Sequence, residues 1–260
     1  GNVKQFVNLL SRVDTIAVRM DGGKEFGDFH DEIKRDIDEA QIEEQRRTVE
    51  GMERLEEIFL RHYTRKELRD MATARNVPGG GVWSKEQIVT MALNTGTESN
   101  YQRLLDPRVP ERLRLTTQKL DALLGTLDAR DWRFVQDVWD FQESFWPELA
   151  DVEQRRTGVR PKKIEGRAMW PGAPAFVRGG YHRLFYDSDR SGRAAADEEQ
   201  RSLYEGLSAG WGAKAQVNNG MTKGRMPNAN GRPVLLEFST IPRQMREVVR
   251  MITLSEAVEI

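Results

Sequence analysis

The chain contains no cysteine, which removes disulfide cross-links, thiolate nucleophiles and every cysteine-based zinc or iron–sulfur site at once. It also lacks a charge of dominant sign, because 40 basic residues face 41 acidic ones. No global field therefore draws it onto nucleic acid or anionic lipid, and any such binding has to be local. Histidine is scarce: His30, His62 and His182 stand in separate segments, a spacing that offers no metal site. One histidine with Asp187 and Asp189 is the only metal alternative, and YDSDRSGR reads more naturally as a strand leaving into a turn and a helix cap. No apolar run approaches the roughly 18 residues of a membrane span, and GNVKQFVNLL lacks the apolar stretch of a signal peptide. G-x-S-x-G, H-E-x-x-H, the Walker loop and G-x-G-x-x-G are all missing, so neither a hydrolase nor a nucleotide-driven enzyme has motif support, and no cofactor is expected.

What is present is tryptophan at a seven-residue spacing. Trp132, Trp139 and Trp146 fall on one face of a helix, with Val138, Phe145 and Val152 as a second stripe beside it. Indoles that bury about 150–250 Å² each mark this helix as a structural keel. Around it the chain divides into four stretches: a helical arm at 1–62, a short-helix pair at 63–106, the tryptophan-stripe helices at 107–160 and a small α+β subdomain at 161–260.

In the arm, Phe29 to His62 reads as one long or once-broken amphipathic helix, with Ile33, Ile37, Ala40, Val49, Met52, Leu55 and Phe59 as its apolar face. Capping boxes at Thr64 with Glu67 and at Ser84 with Gln87 open two short helices, joined by PGGG as a flexible elbow. Another helix is expected from Pro110 to Leu124, ended by Gly125, before Asp128 caps the tryptophan helix. After Thr157 and Gly158 the helical period fades. KKIEGRAMW, YHRLFY and PVLLEF read as strands of a small sheet, SGRAAADEEQRSLYEGL and PRQMREVVRMITLSEAVEI as the helices against it. The fold class expected is mainly α with a small α+β carboxyl-terminal part.

Basic residues cluster in three places. YTRKELRDMATARNVPGGGVWSKEQIVTMAL resembles the small SAP-type nucleic-acid-binding module, with Arg65, Lys66, Arg69, Arg75 and Lys85 as phosphate contacts. Glu67, Asp70 and Glu86 interrupt that patch, and a helical hairpin with solvated charges is the competing reading. Arg155, Arg156, Arg160, Lys162, Lys163 and Arg167 form a basic linker opposed by Glu165 alone, and Lys214, Lys223, Arg225 and Arg232 fall in an acid-free stretch rich in Gly and Asn. If these two converge, Arg160, Lys162, Lys163, Lys223 and Arg225 make a weak, sequence-independent nucleic-acid face. Tyr181, Asp187 and Arg243 are candidates for a shared pocket.

At WSKEQIVTMALNTGTESNYQRLL, DWRFVQDVWDFQESFWPELADVEQRRTGVRPKKIE, GGYHRLFYD, TKGR, GRPVLLEFS and the final helix, the chain resembles a region of the very large "polyvalent" proteins of tailed bacteriophages and prophages. Those sequences tend to run GGYYP where this chain has Gly179, Gly180, Tyr181, His182 and Arg183. Their last helix often carries a His-Asp pair and a further His where Arg250, Met251 and Leu254 stand here. The resemblance implies a segment of a giant phage polypeptide carried in the virion or acting in the host cytoplasm, its partners being other regions of that polypeptide, virion proteins and DNA. The leading Gly1 and the end in SEAVEI fit a segment of something longer. The function expected is that of a structural or interaction segment with weak nucleic-acid binding. The alternative is the framework of a nucleic-acid-acting phage enzyme, such as a virion-carried polymerase or modifying enzyme.

Overall fold

A Pro-free stretch of alternating Glu, Arg and aliphatic residues forms the longest element, α1 (Asp28–His62), as its composition predicts. In this computed structural model, which describes residues 28–187 and 231–257, α1 is followed by α2 (Arg65–Met71), β1 (Ala74–Val77), β2 (Gly81–Ser84), α3 (Lys85–Leu93) and α4 (Glu98–Leu104). A single 3₁₀ turn (Glu111–Leu113), α5 (Thr117–Leu124), α6 (Ala129–Glu143), α7 (Trp146–Thr157) and α8 (Thr240–Ala257) complete the order. The protein is mainly helical with a small two-stranded antiparallel sheet.

Local signals set most helix starts. Thr64, Ser84 and Asp128 each close a full capping box, their side chains taking the N3 backbone N–H while Glu67, Gln87 and Asp131 reach back to the cap. Thr116 caps α5 by accepting from Lys119 N at 3.2 Å, so the helix expected from Pro110 is a 3₁₀ turn and an extended link before that cap. The tryptophan helix is also broken: it stops at Ser144, and α7 starts at Trp146 with Pro147 in its first turn. Only Trp132 and Trp139 are therefore fully buried, whereas Trp146 is half-buried.

The sheet is not where β propensity put it. PGGG closes a hairpin instead of a loose elbow, pairing Ala74 with Ser84 and Val77 with Gly81. Gly79 takes φ +76°, Gly80 N donates to Val77 O at 2.9 Å, and the Trp83 indole donates back to Gly80 O at 2.9 Å. KKIEGRAMW runs extended without a ladder; its N–H groups find Gly96 O (from Arg167, 2.8 Å), Thr95 O (from Met169, 2.9 Å) and Arg178 O (from Ala168, 3.2 Å). YHRLFY and PVLLEF meet at one bridge, Tyr186 with Val234, flanked by Leu235 N to Phe185 O (2.8 Å) and Asp187 N to Pro233 O (3.0 Å). The helix expected at SGRAAADEEQRSLYEGL lies outside the described residues.

One apolar cluster draws on each of the four sequence stretches, through Leu55 and Ile58, Val89 and Leu93, Trp132 and Trp139, and Val249. Trp139 is its centre. The side chain lies against both Gly96 and Gly180, where any β-carbon would strike it, and its N–H donates to Leu93 O at 3.0 Å. Trp132 stacks on Trp170 with ring centres 5.4 Å apart and planes 7° from parallel, a pairing worth about 0.5–1.5 kcal/mol beyond area burial. α8 packs along α1, and at Gly51 an added β-carbon would meet Met245 Sδ. It also packs on α7 through Val248, Met251 and Ile252 against Leu149 and Val152. The buried side of α1 is Gly51, Leu55 and Ile58; Val49 and Met52, expected on the inner face, point to solvent.

Candidate functional site

The unit from Thr64 to Leu93 is a helix, a hairpin and a helix, and its charges sort into two groups. Arg65 is held by Glu56 at 2.7 Å, and Lys85 by Asp131 at 2.8 Å. Asp131 is fully buried and also accepts the Tyr63 hydroxyl at 2.8 Å, so Lys85 belongs to the framework. Burial, then the Asp131 charge, pushes Tyr63 far above its ordinary value and keeps it a proton donor. Lys66, Arg69 and Arg75, in contrast, are exposed on α2 and β1, and none is in an ion pair among the described residues.

Two of the acids that interrupt this patch in sequence are engaged by groups outside it. Glu67 is bound by its own cap and by Arg130 at 2.9 Å, and the Thr64 backbone N–H foremost, with Arg130, holds its carboxyl down at about 2. Glu86 accepts from Phe238 N at 2.7 Å. Asp70 alone of the three remains on the outer face without such a partner. The hairpin edge beside the cations carries Asn76 opposite Val82, both exposed.

The linker cations fare differently. Arg160 pairs with Asp151 at 2.5 Å, Lys163 with Glu143 at 2.7 Å and Arg156 with Glu153 at 3.4 Å, whereas Lys162 and Arg167 stay exposed. The acids come from α6 and α7, so much of the linker charge is neutralised by the helices it leaves. Lys214, Lys223 and Arg225 lie outside the described residues, and Arg232 places its guanidinium 5.6 Å from the Tyr186 ring centre. Of the pocket candidates, Tyr181 is buried and Asp187 sits half-buried at the bridge. Arg243 lies 4.6 Å over the Phe185 ring with its Nε 3.6 Å from Glu247.

Sequence reasoning missed a buried polar layer around His182. Its Nδ1 is 3.0 Å from Gln142 Nε2, its Nε2 is 3.3 Å from Thr240 Oγ1, and its carbonyl accepts from Asn100 Nδ2 at 2.5 Å. Next to it Arg183 N donates to Gln244 Oε1 at 2.9 Å, and the Arg183 side chain pairs with Glu247. The Thr240 hydroxyl proton is directed to Glu237 O at 2.6 Å, so its oxygen accepts from an Nε2–H tautomer while Gln142 donates to Nδ1. The available signal was Gln142, an amide on an otherwise apolar stripe. Complete burial lowers His182 to about 3, so the imidazole is neutral at pH 7, with Nδ1 committed to Gln142 of α6 and Nε2 to Thr240 of α8.

That value has a consequence for stability. Because the folded pKa lies below the unfolded one, His182 costs nothing above about pH 6.5, and stability is lost as pH falls from there toward 3, where only the unfolded chain readily takes the proton. Urea melts of the protein and of His182→Gln at pH 7 and pH 4 check this: the variant is expected to lose less stability across the interval. Equal losses would remove His182 as a source of acid sensitivity.

Among the described residues no cluster of three or more His, Asp or Glu side chains is arranged to hold a metal, and no helix is long and apolar enough to cross a membrane. Compared with protein-family models, curated proteins and solved structures, the chain matches none.

Proposed function

We propose that this chain is a non-catalytic interaction segment of a large phage virion-associated polypeptide and that it meets nucleic acid through the outer face of the unit from Thr64 to Leu93. The carrying observation is the sorting of charge there: Lys66, Arg69 and Arg75 remain exposed and out of ion pairs, while Glu67 is paired at the surface with Arg130 and Glu86 accepts from Phe238 N. Cations released in this way displace condensed counterions from a phosphate backbone, whereas Arg160 and Lys163 first have to leave Asp151 and Glu143. The phage setting, and with it virion or host-cytoplasm partners, rests on the resemblance of the segments between Trp83 and the last helix. The non-catalytic reading is supported by His182, whose ring nitrogens are both engaged inside the fold.

Three phosphate contacts imply an affinity of about 10⁻⁴ to 10⁻⁶ M at physiological salt and a log–log salt slope near roughly −3, with little preference for sequence. Fluorescence anisotropy with a labelled duplex over a salt series measures both. Reversing the charge at Lys66, Arg69 and Arg75 together is expected to abolish binding with the melting temperature nearly unchanged, because all three are exposed. Lys162→Glu is expected to have a small effect. Undiminished binding by the triple variant, or none by the parent at low salt, overturns the assignment.

A further inference from the structure

The exposed large apolar side chains of this protein are gathered on one helix. Among the described residues seven are exposed, and four of them, Ile42, Val49, Met52 and Leu60, lie on α1 at 67%, 57%, 39% and 41% exposure. At about 100° and 1.5 Å per residue, Ile42 and Leu60 stand about 20° to one side of Val49 and Met52 about 60° to the other, a single stripe about 27 Å long. It lies opposite Gly51, Leu55 and Ile58, which face the core. α8 meets α1 at Gly51, and α6 and α7 meet it at Arg61 and Arg47, so no described element stands over the stripe. Single exposed apolar residues are ordinary, whereas a row of them on one face marks a contact surface.

The stripe is complementary to itself. In a pair of antiparallel α1 helices, a two-fold axis at the level of Gly51 sets each position opposite the one equally far beyond it. Ile42 and Leu60 are each nine residues from Gly51, so each faces the other, twice over. Val49 of one copy and Met52 of the other come within one residue of the same level, about 1.5 Å. Such an axis also keeps every residue on its own side of the stripe, and Ile42 and Leu60 share one side.

The flanking charges fit the same register. Beside the stripe, Glu50 is bound by Arg46 and Glu56 by Arg65 at 2.7 Å within one copy, whereas Glu53 and Glu57 are exposed and in no ion pair among the described residues. Arg46 stands on the Ile42 side, as Glu53 and Glu57 do. It is five residues from Gly51 and they are two and six residues beyond it, so the axis brings Arg46 of each copy level with the stretch between these acids on the other. Opposite charges placed in this way fix the register of an apolar contact.

We propose that the outer face of α1 is a docking surface for a second copy of this chain, joined antiparallel with Ile42 against Leu60. Four apolar side chains per copy make a small interface, so the dimer exchanges with monomer.

The absence of cysteine lets single thiols report the register. Ile42→Cys and Leu60→Cys, prepared separately, mixed and oxidised, are expected to form a disulfide-linked dimer of one chain of each, seen on a non-reducing gel and identified by its cross-linked peptide. Ile42→Cys alone is expected to stay monomeric on that gel, because its two thiols stand 18 residues apart along the pair, about 27 Å and beyond disulfide reach. Adding Val49→Glu and Met52→Glu to both variants is expected to abolish the cross-link. All four positions are exposed, and circular dichroism is expected to show the parent fold throughout. Three results overturn the proposal: no more mixed dimer than Ile42→Cys gives with Val82→Cys on the hairpin edge, ready self-linking of Ile42→Cys, which marks a parallel pair, or a cross-link that survives the glutamates.

Discussion

Trp139→Ala is expected to lower stability by about 3–5 kcal/mol, the range found when a fully buried aromatic is removed and its surroundings cannot close over the space. Closure is difficult here because Gly96 and Gly180, which pack against the indole, have no side chains to move inward, and the backbone they belong to is held by hydrogen bonds from Arg167 N and Gly180 N to Gly96 O. The lost indole N–H also leaves Leu93 O, at the end of α3, without its partner. Trp146→Ala serves as the comparison, since that ring is only half-buried and belongs to the smaller α7–α8 cluster. Urea melts of both are expected to show the larger loss for Trp139. Equal losses would mean that the seven-residue spacing carries the packing and the break at Ser144 is irrelevant to it.

The second large effect is expected at Asp131. Its carboxylate is fully buried and gathers the Tyr63 hydroxyl at 2.8 Å, the Asp128 backbone N–H at 3.0 Å and the Lys85 ammonium at 2.8 Å, tying the end of α1 to the starts of α3 and α6. Alanine there strands a buried hydroxyl and removes half of an ion pair, at a cost of about 3 kcal/mol, the low end for breaking such a pair because Lys85 keeps partial access to water. Asparagine retains an acceptor for Tyr63 and is expected to lose less. Tyr63→Phe combined with Asp131→Ala is expected to cost less than the two single changes added together, since the same contact is removed twice. Additive losses in the double variant would contradict a shared site.

What was legible in the chain was local. The boxes at Thr64, Ser84 and Asp128 are complete within four residues, and the burial of Trp132 and Trp139 follows from their period. Pro147 was a visible sign that the tryptophan helix breaks, but the seven-residue repeat continues across it and masked the interruption. The strands failed for a different reason. KKIEGRAMW has the aliphatic and aromatic content of a strand, yet its N–H groups are claimed by the Thr95–Gly96 loop, whose position depends on how α3 and α4 pack. The candidate nucleic-acid face shows the same limit: charge signs are legible along the chain, but that Glu67 turns to Arg130 while Arg160 turns to Asp151 is decided across helices. His182 has no ligand pattern near it in sequence, since its partners Gln142 and Thr240 stand 40 and 58 residues away.

The bridge between Tyr186 and Val234 has a mechanical meaning. Asp187 N donates to Pro233 O at 3.0 Å and Leu235 N to Phe185 O at 2.8 Å, so two stretches distant in sequence run side by side there, and Gly231 N is held by Asp106 at 3.0 Å. A pull that parts Asp187 from Pro233 loads the bridge from that end, as in opening a zipper. Asp187 to Pro233 is loaded first, then Leu235 to Phe185. Each step costs about one hydrogen bond, on the order of 0.5–1.5 kcal/mol. A force on Asp187 is thus met first at the bridge, and back along the chain next by the Arg183–Glu247 and His182–Thr240 layer that anchors α8, before it reaches Gly180 and Trp139.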